Sequence, residues 1–218
     1  MTSRAPKKRT EPLPPDLDED SLTPSPLVDD GEIDVYQGIV SGEHSGHEGS
    51  AEITGSLLQG ADLSGTRLEP VSITHSAIRK GDLSNAVWVS ASIRRTAITG
   101  CRAVGWRLFL DLAEDLLVED CRWELGSVHV TRSKGPVVFR NCTFEGTAIR
   151  GDLSSVIFDG CTLAGAEFGA DRATGTDLRT SRLAGARGLG TLRGALITAA
   201  QAVELAGVLA AELGFDVE

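Results

Sequence analysis

AEITG SLLQG ADLSG TRLEP VSITH SAIRK GDLSN, residues 51–85, reads in units of five, and the frame continues far beyond it. With the middle residue of each unit taken as its centre, a one-residue slip near residue 136 and its reversal near 151 leave 28 centres from Ile53 to Gly188. Twenty-three of these are Ile, Leu, Val, Phe or Trp. Two residues before the centre stands Ala, Gly, Ser, Thr, Cys or Val in 24 of 28 units, the exceptions being Trp106, Asp111, Leu116 and Asp171. In an extended chain, residues two apart point the same way, so the small position and the centre share an inner face and the residue between them points out. An odd period cannot prolong that alternation, so the chain turns a corner once per unit.

The cysteines say how many corners close a coil. Cys101, Cys121, Cys142 and Cys161 all occupy the small position, 20, 21 and 19 residues apart, so they recur every fourth unit. Four sides make a square. The spacings of 21 and 19 mark an inserted residue around TRSKGP, 131–136, and a compensating deletion near IRGDLSS, 149–155. Leucine-rich repeats also approach 20 residues, but they need L-x-x-L-x-L spacing and not uniform fives.

The units resemble the A(D/N)LXX units of pentapeptide-repeat proteins over about residues 51–190. The resemblance implies an all-β solenoid: a right-handed quadrilateral β-helix of about seven coils. At about 4.8 Å per coil its rod is about 34 Å long. Small and large residues then form ladders inside it.

A solenoid needs capped ends, because an open last coil offers unpaired backbone to other chains. TAAQAVELAGVLAAELG, 198–214, supplies one: Thr198 and Gln201 form a capping box, a helix follows over about 199–213, and Gly214 suits the stop. Gln201, Glu204 and Glu212 crowd one arc, leaving more apolar surface than a single buried stripe requires. Residues 191–218 are therefore expected to cap the rod, and the excess apolar surface either pairs with a second copy, with Val203, Leu205, Leu209 and Leu213 as the candidate dimer residues, or sinks more deeply against the last coil and the DVE tail. Residues 31–50 are expected to hold a degenerate first coil or N-terminal cap, since Val35 and Val40 keep the spacing. Residues 1–30, with six of the eight prolines and the acidic run DLDED, read as a solvated, disordered tail. That terminus has no signal-peptide pattern, and no stretch is apolar enough to span a bilayer. A bacterial cytoplasmic protein without membrane contact is expected.

The residues suggest no catalysis. G-x-S-x-G, H-E-x-x-H, P-loop and paired Cys-x-x-Cys patterns are absent, and a smooth rod presents no obvious cleft. A straight ladder of thiols lacks the tetrahedral convergence of a zinc site, and parallel side chains disfavour disulfides, so the cysteines read as small core fillers. His44 and His47 lie three apart but beside glycines, in a loop and not a helical turn, and His75 and His129 fall at corners. No metal and no cofactor is expected. One face departs from the rule: its centres include Ala113 and Ser133, and two of its small positions are Asp111 and Asp171. DLAED, 111–115, is followed one coil later by the inserted TRSKGP. A local bulge carrying Asp111, Glu114, Asp115, Arg132 and Lys134 is therefore the candidate interaction patch, with an unidentified protein as partner.

The family also implies a runner-up: its quinolone-resistance members resemble duplex DNA and bind DNA gyrase or topoisomerase IV. Duplex DNA carries one negative charge per about 1.7 Å, so a mimic of this length needs on the order of twenty net negative charges or a strongly acidic face. Residues 51–190 hold 16 Lys and Arg against 16 Asp and Glu. The whole net charge of −10 belongs to the ends. A non-catalytic scaffold or protein-interaction module is thus the first expectation. Gyrase binding is a disfavoured second, and no direct binding of nucleic acid is expected.

Overall fold

The computed structural model describes residues 10–26 and 32–216. From Glu32 onward the chain winds a parallel β-helix in which each strand pairs with its equivalent one coil away. Ile53 pairs with Ile73, Ile73 with Ile93, Ile93 with Ala113 and Ala113 with Ser133, which places the centres of one face in a vertical line. We number the faces one to four from the units containing Ile53, Leu58, Leu63 and Leu68. Face four stacks Leu68, Trp88, Leu108, Val128, Ile149 and Phe168 in the same way. Residues 32–50 complete a first coil, with Val35 beside Ile53 and Val40 beside Leu58.

The repeated DLS has a local cause. The Asp62 carboxylate accepts the Ser64 backbone N–H at 2.9 Å; Asp82 and Ser84, and Asp152 and Ser154, repeat the bond at 2.8 and 3.0 Å. Each is an Asx-type turn that bends the chain immediately after a core leucine. The last residue of the unit then adopts a left-handed conformation, as at Gly65 (φ 66°) and Asn85 (φ 58°), the residue types that tolerate it best.

The core is continuous along the rod, and it absorbs the exceptions by compensation. Trp106, a large residue at a small position, follows the small Ala103 at the preceding centre, and Gly126 one coil on leaves the space that the Trp123 indole fills. The Trp106 ring stacks on Trp123 at 4.2 Å and meets the edge of Trp88 at 5.1 Å. The line continues through Phe144, Phe139, Phe158 and Phe168, with centroid separations of 5.2 to 6.2 Å. The inserted residue lies between Ser133, which pairs with Ala113, and Val137, which pairs with Leu116. The register is restored where Val137 pairs with Val156, 19 residues on.

The expectation of a solvated tail fails for residues 10–26. Thr23 and Pro24 pair in parallel with Gly38 and Ile39, the Ser25 N–H donates to the Ile39 carbonyl at 2.8 Å, and carboxylates further upstream reach arginines of the rod. Two carboxylates of the stretch, Glu11 and Glu19, are paired with Arg140 and Arg79 of the rod. The rest of that expectation, residues 1–9 and 27–30, lies outside the described residues.

Candidate interaction surfaces

The irregular face is built differently from the bulge expected. Asp111 is not at the inner small position. The ladder passes from Ala91 to Leu110, then to Val130, Gly151 and Ala170, while Asp111 and Asp171 are exposed. A β-bulge between Ala91 and Ser92 shifts the backbone by one residue, so the neighbouring apolar side chain turns in and the carboxylate turns out. Gly151 is the tightest point, since a Cβ there would lie 2.2 Å from the Val130 carbonyl oxygen.

The five predicted patch residues do come together on adjacent coils, because the Thr131 N–H donates to Leu110 and the Lys134 N–H to Ala113. They do not form one charged surface. Asp111, Arg132 and Lys134 are exposed, and half-buried Glu114 accepts from Arg94 at 3.1 Å. Asp115, by contrast, is 2% exposed, in a left-handed corner (φ 54°) pressed against Gly135. Asp115 therefore belongs to the corner of the coil and leaves the patch.

The terminal helix α1, Ala199–Glu212, carries the expected capping box: the Gln201 N–H donates to the Thr198 hydroxyl at 3.1 Å and the Thr198 N–H to the Gln201 side chain at 2.7 Å. Two residues of its polar arc, Gln201 and Glu212, turn toward the last coil, while Glu204 stays exposed. The Gln201 amide donates to the Leu178 and Ser181 carbonyls, both at 2.8 Å, and so closes the open rim of the last coil. Glu212 accepts the backbone N–H groups of Gly188, Leu189 and Gly190 at 2.6, 3.2 and 2.8 Å. Leu205 is buried between them, and Leu209 packs on the core beside it. The four predicted dimer residues consequently divide. Leu205 and Leu209 hold the helix to the rod, whereas Val203 and Leu213 are 79% and 70% exposed on the opposite side. Alanines 199, 202 and 206 share that outer side, and Phe215 just beyond the helix is 65% exposed. Sequence reasoning missed this because Gln201 and Glu212 are polar groups that find backbone partners only at the end of a coil.

The four cysteines are free, buried and stacked along face three. Their thiols bond to backbone carbonyls, as Cys142 Sγ does to Val118 at 3.4 Å and Arg140 at 3.2 Å, and the Cys101 N–H meets the Cys121 sulfur at 3.3 Å. Hydrogen bonding to Cys121, then burial, pushes the Cys101 and Cys142 thiols far up from the ordinary range. His44 bonds to Ser41 within the first coil, and the His129 ring lies 6.5 Å from that of Phe109.

No protein-family model matches the chain, and no curated protein matches it in sequence. Among solved structures it is similar to trypsin-treated QnrB1, a plasmid-mediated fluoroquinolone resistance protein, at 19% identity and a TM-score of 0.43, covering 91% of this chain and 100% of that one. It is also similar to HetL, a pentapeptide-repeat protein involved in regulating heterocyst differentiation in the cyanobacterium Nostoc, at 18% identity and a TM-score of 0.32, covering 80% and 83%. The decisive observations are internal to the chain: five-residue sides, four to a coil, with one large and one small residue turned inward from most of them and every ladder among the described residues parallel. That architecture is the pentapeptide-repeat β-helix.

Proposed function

We propose that this chain is a non-catalytic protein-interaction module that pairs with a second copy through the outer side of α1. The observation that supports this reading is the orientation of the helix. Its Gln201 and Glu212 side chains close the last coil, and the opposite side, left to solvent, carries Val203, Leu213 and small alanines. Small residues let two helices approach closely, and an exposed apolar stripe on a terminal element is the kind of surface that association buries. The interior is filled by side chains along its length, so recognition falls to the outer faces and the ends. Buried free thiols suit a reducing compartment, and we place the protein in a bacterial cytoplasm.

Sedimentation equilibrium tests the pairing. The wild type is expected to gain mass with concentration, and Val203→Glu with Leu213→Glu to stay monomeric with an unchanged melting temperature, because both side chains are mostly open to solvent. A monomeric wild type at high concentration removes the proposal. So does a double variant that unfolds the C-terminal end, which would mean that these residues hold the helix in place.

A further inference from the structure

Face two differs from the others on its outer surface. Its outward residues, between small position and centre, form the ladder Ile39, Leu57, Ala77, Ala97, Leu117, Val138 and Ile157, apolar until Asp177 in the last coil. The equivalent positions on face three begin Asp62, Asp82, Arg102 and Arg122. An apolar stripe facing water would be a liability, yet Leu57, Ala77 and Val138 are 7%, 1% and 1% exposed. Residues 11–24 cover them. At one end Glu11 accepts from Arg140 at 3.0 and 3.1 Å; further along, the Asp16 N–H donates to His75 Nδ1 at 3.3 Å and Glu19 accepts from Arg79 at 2.6 and 2.9 Å; at the other end Thr23 and Pro24 join the first coil. Pro12, Pro15, Leu17 and Leu22 are half-buried along this path. An extended segment with carboxylates at its anchor points and prolines and leucines between them therefore lies over an apolar stripe flanked by arginines.

The means of attachment separate this segment from the coils. Its charged anchors are exposed ion pairs, in which the Glu11 and Glu19 side chains are 69% and 47% open to solvent, and such pairs contribute little each. Its regular pairing amounts to two residues, against strands of up to 13 in the rod. Every group that holds it is one that an external peptide of similar chemistry can supply.

We propose that the outer stripe of face two is a docking groove for an extended acidic peptide bearing proline and leucine, and that residues 11–24 are its built-in, displaceable occupant. The partner is a protein that presents such a segment. It docks by taking over Arg79 and Arg140 and laying its apolar residues along Ala77, Ala97, Leu117 and Val138. The tethered segment competes at high local concentration, so the groove is closed until the partner outcompetes it or the anchors weaken. This inference rests on the reading of the rod as an interaction module. It concerns a different surface from α1, so failure here leaves the pairing test above unaffected.

The test uses full-length protein and a fluorescent synthetic peptide of residues 10–26, followed by anisotropy at low salt. The probe is expected to bind Glu11→Lys with Glu19→Lys, in which the tethered segment has lost its anchors, at least tenfold more tightly than wild type. Arg79→Glu with Arg140→Glu should lose binding, because the groove then repels the probe. Leu17→Ser with Leu22→Ser opens the segment without changing its charge and should behave as the first variant does; far-ultraviolet circular dichroism checks that each rod is intact. Absence of binding to both opened variants overturns the proposal and makes residues 11–24 a permanent part of the fold. Equal binding to the arginine variant overturns it as well, since the contact would then be unselective apolar adhesion. A wild-type dimer that disappears in the arginine variant would assign the groove to the segment of a second copy instead.

Discussion

Gly126→Ala tests the packing argument most severely, because the added atom has nowhere to go. A Cβ on Gly126 would lie 2.3 Å from the Trp106 carbonyl oxygen and 2.7 Å from the Trp123 indole nitrogen. Both neighbours are fixed. The Trp106 carbonyl already accepts from the Ser127 N–H and from the Trp123 indole, each at 2.9 Å, and the two indoles are stacked on one another. Relief therefore requires a backbone shift or loss of the indole bond. Overpacking costs about 1 to 3 kcal/mol, and an unmet buried donor a further 1 to 3 kcal/mol. The stiffer unfolded chain returns about 0.4 to 1 kcal/mol. A net destabilisation of about 1 to 5.6 kcal/mol follows from these terms, which for a domain of this size lowers the melting temperature by roughly 2 to 22 °C. All three tryptophans, Trp88, Trp106 and Trp123, belong to these neighbouring coils, so intrinsic fluorescence during urea unfolding reports the region directly. A variant within about 0.5 kcal/mol of wild type would refute the claim that Gly126 makes room for the Trp123 indole against the Trp106 carbonyl.

Three further outcomes follow from the geometry. The raised Cys101 and Cys142 thiols remain protonated in the folded chain while their unfolded counterparts ionise near pH 8.5, so their contribution is complete below that pH and is lost as pH rises above it; urea midpoints should fall from pH 8.5 to 10.5, and Cys101→Ser with Cys142→Ser should flatten that decline. Glu212→Ala removes the acceptor of three backbone amides and should increase hydrogen exchange at Gly188–Gly190 and fray α1, whereas Gly207→Ala, with open space around the added methyl, should stabilise the helix by about 1 kcal/mol; circular dichroism melts that fail to separate the two would count against the assigned face. Gyrase supercoiling should proceed normally with micromolar protein, because the body is electrically neutral and exposed charges are screened beyond about 8 Å; inhibition that weakens in Asp111→Ala or Asp120→Ala would reverse this expectation.

The sequence alone determined the five-residue period, the four-sided coil, the cysteine ladder, the site of the inserted residue and the capping box of the terminal helix. Those features are legible because each is a local preference repeated or a local bond: an Asx turn after Leu63 recurs after Leu83 and Leu153, and Thr198 finds Gln201 within one turn. The tertiary structure decided what is in and what is out wherever the repeat breaks. On a strand a shift of one residue exchanges the two faces, so whether Asp111 or Leu110 enters the core depends on how the coil pairs with its neighbour, which no five-residue window contains. The same holds for the helix and the N-terminal segment. Gln201 and Glu212 turn inward only because a closing coil leaves carbonyls and amides for them, and the acidic residues at 11 and 19 lie on the rod only because Arg140 and Arg79, 129 and 60 residues away, stand on one face to receive them. Polar groups look solvent-bound until their partners are in place, and those partners are assembled only by the winding of the coils.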